Sequence, residues 1–449
     1  MVAKLPDLLQ RPDIVSQSIS NGGVAGRADW DSPAHSRPAS EGGLQNPAEL
    51  PSEQDEPTEP MTPASLTAGC HVGPNPVDAW PACPRPWRKP GGFLYWAGRT
   101  LFALLTLWGV LAITASIPLV NFLAFGYLLE AEGRVARTGR FRDAFPSLSV
   151  MPRIGIAAVG ITLWLAPLLL LASNASDARL IATGSATDQN LHTLLVVLAV
   201  VIGLHLVFAL ARGGTIGCFF RPIKNVRWCL AHFRRGAWLT HWADNSRQFW
   251  QSLPLKRYFW LGARGLVGAL AWLLIPTALF AAASEPTGGA FLVTVLGGVL
   301  LLPVLAWVPF LQARFACENR LSGMFAWREI RREFRSAPLC WLLALVMTYV
   351  LALPLYLFKV VLLPEDAMWG VTPVFLASIF PSKILTGWAY HQATVRDRPA
   401  WWGFRWLSRG LIIPLLAAFI FVLFFTQFIG EHGKGVLFEH HALLLPVPF

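Results

Sequence analysis

The sequence is poor in charge. Asp, Glu, Lys and Arg make up 14% of its 449 residues, against 54% apolar residues. Soluble globular proteins carry about 25% charged residues, so a water-soluble fold does not fit. Cysteine is also scarce: there are six, with no C-x-x-C pair and no His completing a zinc pattern. The motifs G-x-x-x-x-G-K-[ST], H-E-x-x-H, G-x-S-x-G and G-x-G-x-x-G are missing, which argues against a P-loop ATPase and the common hydrolases and dinucleotide enzymes. The expectation is a non-enzymatic protein with no cofactor, no metal and no catalytic residue. Met1–Ser20 holds no uninterrupted apolar core of signal-peptide type, because Asp7, Arg11 and Asp13 break it. The N-terminus is therefore expected to stay in the cytoplasm.

What is abundant points to a bilayer. Mean hydropathy is +0.48 and there are 20 Trp, many near the ends of apolar runs, as in an interfacial belt. Residues 1–90 differ from the rest: they hold 11 acids and 7 bases in a chain of net +11, which leaves +15 on residues 91–449. The Pro-rich acidic stretch Asn46–Pro63 cannot bury enough apolar surface to offset its ordering entropy, so residues 1–90 read as a disordered cytoplasmic tail.

Eight apolar runs follow, at 100–129, 154–176, 189–211, 258–284, 286–313, 336–361, 367–395 and 410–430. A spanning helix needs about 20 apolar residues, and only helices satisfy their own backbone in lipid. The first run is 30 residues long. As one helix it would reach about 45 Å, against a core of about 30 Å. With Pro118 near its middle, the run reads either as one long tilted span or as two limbs hinged at Ser116–Pro118, and the basic flank Arg85, Arg88, Lys89 and Arg99 favours the hairpin.

Charge sets the threading. The connectors 130–153, 212–257, 314–335 and 396–409 hold 24 bases, and the alternate connectors with the C-terminal tail hold Arg179 and Lys434. This is a positive-inside pattern, and it accounts for a pI of 9.8 without nucleic acid. The resulting expectation is an all-α, polytopic transmembrane bundle in a bacterial cytoplasmic membrane. It has seven full spans plus an N-terminal apolar helical hairpin, a cytoplasmic N-terminus, and an exterior tail at 431–449.

The segment Ile117–Leu148, IPLVNFLAFGYLLEAEGRVARTGRFRDAFPSL, combines a Pro-broken apolar stretch, a G-Y-L-L turn and a basic arm. It resembles the signature of a large uncharacterised family of bacterial polytopic membrane proteins, known only as a domain of unknown function. The resemblance covers those 32 residues and implies a membrane domain with an amphipathic hairpin; it implies no reaction or substrate. Val120–Glu130 and Val308–Glu318 also share a Val-Phe-Leu-aromatic-Glu pattern, as a duplicated unit would.

Several residues stand out chemically. Lys383 lies inside the run 367–395. An intramembrane charge is a functional candidate for an anion or proton site, or it snorkels to the basic face. No apolar run holds an Asp or Glu to partner it. His205, amid the third run, is either a relay or a neutral histidine bonded to a neighbouring helix. Arg264 reads as a snorkelling anchor. Glu431, His432, Glu439, His440 and His441 are metal-binding residue types without a ligand spacing.

In the long loop 212–257, Val226, Leu230, Phe233 and Ala237 recur at helical spacing, with Arg227, Arg234 and Arg235 on other faces. This fits a basic amphipathic helix on anionic headgroups. Arg331 and Arg332 are a second basic pair for lipid contact. The leading expectation is a membrane-organising or assembly protein that touches anionic lipids, a membrane-protein partner or a second copy of itself. The alternative is a small-solute permease with a mid-membrane site near Lys383, using Pro- and Gly-broken runs at Gly297, Gly298, Pro303, Pro309, Pro373 and Pro381.

Overall fold

A computed structural model describes residues 80–233, 238–282, 288–360, 368–429 and 433–445. The expected tail lies almost wholly outside these residues. The described part is helical, with no strand. Its long helices are α1 (Pro90–Ser116), α2 (Asn121–Thr138), α3 (Met151–Ile181) and α4 (Ala186–Ala211). Three short helices follow: α5 (Ile216–Phe219), α6 (Pro222–Phe233) and α7 (Trp238–Gln251). Then come α8 (Leu255–Phe280), α9 (Gly289–Glu318), the short α10 (Trp327–Phe334), α11 (Pro338–Val360), α12 (Met368–Thr394) and α13 (Trp402–Ile429).

Among the described residues, seven helices are long and apolar enough to cross a membrane. The number agrees with the charge pattern, but the membership differs. The first limb of the hairpin, α1, is among the seven. Helix α12, expected from the run 367–395, is not; it carries Ser378, Ser382, Lys383, Thr386, His391 and Gln392. The prolines expected to break runs lie inside continuous helices: Pro303 and Pro309 in α9, and Pro373 and Pro381 in α12.

The chain does break at the expected hinge. Helix α1 ends at Ser116, Ile117 is extended, and Leu119 takes a φ of 66°, a conformation that costs a branched side chain energy. The second limb is present but runs further than the apolar run that predicts it. Residues 130–138, part of a basic connector by charge, continue α2, and its buried residues run from Ala124 to Ala136 around the whole circumference. A helix buried all round is a core element. Helix α2 packs against α8, α9 and α12 and is the centre of the bundle.

Glycines let α2 approach its neighbours. A Cβ on Gly126 would collide with the Tyr258 backbone, and one on Gly262 with the Phe122 backbone. The α2–α8 crossing therefore needs glycine on both sides, as small-residue contacts between membrane helices do. Against α12, a Cβ on Gly387 would meet the Glu132 carbonyl.

Eighteen residues make α2 about 27 Å long, short of a core of about 30 Å. The C-terminal segment fills space beyond its first turn. A 3-10 turn at Gly433–Phe438 is followed by residues to Leu445, and Val436, Leu437, His440, His441 and Leu443 are all buried. Hydrogen bonds to three helices fasten it. His440 Nε2 lies 2.9 Å from Thr277 Oγ1 of α8, Gln312 Nε2 of α9 donates to the Leu443 carbonyl at 2.9 Å, and Tyr356 OH of α11 donates to the Glu439 carbonyl at 2.8 Å. The described part of this segment, expected as an exterior tail, is a core element.

Candidate functional site

The site is built where α2, α9 and α12 meet. Lys383 lies fifteen residues after the start of α12 and eleven before its end, so about 22 Å and about 16 Å along the axis from the two ends. It is only 2% exposed, so it does not snorkel. Its Nζ stands 3.4 Å from Glu132 Oε2 on α2, donates a hydrogen bond to Gln312 Oε1 on α9, and lies 5.8 Å from the centre of the Phe125 ring. Glu132 and Gln312 are each 0% exposed. Gln312 relays the contact, because its amide nitrogen holds the Leu443 carbonyl of the C-terminal segment. Neither Glu132 oxygen accepts a hydrogen bond among the described residues. The carboxylate is balanced by charge alone.

Two residues before Glu132 on α2, Glu130 is clamped from three sides. Arg134 Nε lies 3.1 Å and Arg137 Nη2 3.4 Å from Oε1, and Arg257 Nη2 lies 2.8 Å from Oε2. Arg137 also donates to the carbonyls of Ala316 and Cys317, which satisfies the last turn of α9. Arginine suits this role because its fork donates in several directions at once. At the same end Arg314 faces Glu318 at 2.8 Å, Glu333 at 3.7 Å and Glu329. Glu333, on the short α10, has its carboxyl pushed up to about 7 by burial, against the pull of Arg314.

Lys383 is thus an internal ion pair. Its partner was missed because Glu132 sits in a stretch that reads as polar and basic, E-A-E-G-R-V-A-R. One signal was available: Glu130 with Arg134 is an i,i+4 pair, a sign that the helix continues past the apolar run.

The other candidates lie elsewhere. His205 is on α4, with Nε2 3.0 Å from the Phe219 carbonyl and its ring 4.5 Å from that of Trp164. It sits in a separate apolar cluster with Ala209, Cys218 and Phe219 and is not brought to Lys383. Arg227 is exposed on α6, beside exposed Lys224, Ile223, Val226 and Leu230. Arg331 and Arg332 are exposed on α10, whose Ile330 and Phe334 are buried in the bundle. Arg234 and Arg235 lie outside the described residues, as do Glu431 and His432. No group of three His, Cys, Asp or Glu able to hold a metal is found among the described residues. His440, buried on the C-terminal segment, is pushed down to about 4 by desolvation of its charged form.

Residues 245–363 match a family model described as a protein of unknown function, DUF4013. That stretch holds α8 to α11 and contributes Gln312 to the centre. It is a different stretch from Ile117–Leu148, which carried the resemblance read from the sequence. No curated protein and no solved structure matches the chain.

Two hollows flank these groups. One, of about 260 Å³, lies between the first turn of α2 (Asn121, Phe122, Phe125) and His440, His441, Leu444 and Leu445. The other, of about 500 Å³, is a groove at the start of α8 whose wall includes Lys256, Arg257, Trp260, Arg264 and Asn319.

Proposed function

We propose that the protein is a non-enzymatic membrane-organising or assembly protein that holds anionic lipid headgroups against its basic end. The observation that carries this reading is α6. It presents Ile223, Val226 and Leu230 to the surroundings beside exposed Lys224 and Arg227, the combination that seats a helix at an anionic interface. Arg331 and Arg332 on docked α10 add charge at the basic end of the bundle. The interior supports the same reading: Lys383, Glu130 and Arg314 are each matched by an opposite charge inside the bundle. In this reading the basic end and the N-terminus face the cytoplasm of a bacterial cell and the C-terminus faces the exterior. The role needs no cofactor and no nucleic acid, and a membrane-protein partner or a second copy would dock at the same end.

The test is reconstitution of the full chain in vesicles containing a minority of labelled phosphatidylglycerol. Enrichment of label around the protein is expected, and K224Q/R227Q and R331Q/R332Q should each reduce it. Equal distribution of label around wild type and variants would sink the reading. Threading is tested separately in intact cells: a cysteine at exposed Ala182 should react with an impermeant thiol reagent, and one at Ala237 should not.

A second reading, a small-solute permease, is favoured by the 260 Å³ hollow. Phe125 lines it, and the centre of its ring also lies 5.8 Å from Lys383 Nζ. Solute uptake by a deletion strain and by an F125A strain tests it; uptake unchanged in both for every solute tried would exclude it.

A further inference from the structure

The groove at the start of α8 holds two cations, Lys256 and Arg264, without an ion-pair partner among the described residues. Lys256, Trp260 and Arg264 follow one another at i, i+4 and i+8 and share one face of the helix. All three are exposed, and neither Lys256 nor Arg264 forms an ion pair with a described residue. Arg257, beside them, is already engaged by Glu130 at 2.8 Å yet remains 45% exposed. Arg264 stands nine residues into α8, about 14 Å along the axis. Arg264 is the last charge before the uncharged stretch 265–280 of this helix, and a guanidinium at such a boundary gains from an anion that neutralises it.

The same face continues as Val267, Ala271, Leu274 and Ala278, all exposed and uncharged. From Arg264 to Ala278 this apolar strip runs about 21 Å, longer than half of a core of about 30 Å. Cations with a Trp at one end and a bare apolar strip at the other match an amphiphile with an anionic head. Arginine favours phosphate oxygens, which its fork meets in pairs, and Trp260 suits the headgroup level.

We propose that this groove is a one-to-one site for an anionic phospholipid, its phosphate between Lys256 and Arg264 and its acyl chains along Val267, Ala271 and Leu274. The proposal rests on the lipid-contact reading and sharpens it from a diffuse basic surface to one stoichiometric site.

Native mass spectrometry of the detergent-solubilised full chain tests it, with phosphatidylglycerol, phosphatidylcholine and inorganic phosphate offered in turn. One phosphatidylglycerol per chain should be retained, and phosphatidylcholine should bind at least tenfold more weakly. R264Q and K256Q should each weaken phosphatidylglycerol tenfold or more, and R264K should recover most of the loss at Arg264. K224Q/R227Q, on α6, should leave this single adduct intact. Equal retention of both lipids by wild type, or full retention of phosphatidylglycerol by R264Q, overturns the site. Displacement of the lipid by millimolar phosphate overturns the assignment to a lipid. If R264Q keeps its adduct while K224Q/R227Q lowers lipid enrichment in vesicles, this site fails and the broader reading stands. If the adduct depends on Arg264 while vesicle enrichment ignores the loops, the converse holds.

Discussion

Lys383 Nζ of α12 lies 3.4 Å from Glu132 Oε2 of α2, and both side chains are sealed from their surroundings. The pair joins the central helix to a helix more than 240 residues further along the chain. Breaking a buried pair by removing one partner costs about 3–5 kcal/mol, whereas replacing both with apolar groups of similar volume is often neutral or stabilising. K383M and E132M should each lower stability by about 3–5 kcal/mol, and K383M/E132M should regain most of it. Unfolding in mild detergent measures this. A double variant as damaged as the sum of the singles would give the pair a role other than mutual neutralisation.

The glycine crossing of α2 and α8 makes a steric prediction. Leucine at Gly126 or Gly262 would drive the helices apart, at the roughly 1–3 kcal/mol typical of overpacking or more. It should also separate Arg257 from Glu130. Pairwise spin-label distances between α2 and α8 would report the displacement, and unchanged distances would contradict the packing described.

Leu437 and Leu443 test the C-terminal segment, because both are fully buried. L437A and L443A should each cost about 2–5 kcal/mol, as large-to-small changes in a packed core do. A loose external tail would show no change in melting temperature.

Glu333 predicts a pH dependence. Its carboxyl is raised from 4.5 to about 7 in the folded protein, chiefly by burial. Between those values the folded state binds more protons than the unfolded one, so this group's contribution to stability falls as pH rises from about 4.5 to about 7. Over that window the melting temperature of wild type should decline relative to that of E333Q. Parallel profiles would show that Glu333 titrates normally.

His440 has the opposite sign. Burial lowers it from 6.5 to about 4, so the folded state binds fewer protons over that interval and its contribution to stability rises with pH from about 4 to about 6.5. Below pH 6 the C-terminal segment should loosen, read as faster proteolysis near residue 433. H440N should flatten this dependence.

The sequence by itself determined that this chain lives in a bilayer as a bundle of helices. Low charge and long apolar runs leave the backbone no other way to satisfy itself in lipid. It also marked the break at Ser116–Pro118, because proline and run length are local properties. Only the tertiary structure decided what lies in the middle. Residues 121–138 look like the end of a run followed by a basic arm, but α8, α9 and α12 enclose them, and their charges are answered by Arg257 and Lys383. Residues 433–445 look like a tail, but Gln312, Thr277 and Tyr356 hold them in the core. A charge in lipid is tolerated when its partner is close. Closeness between residues 132 and 383 is a property of packing that no local window of sequence contains.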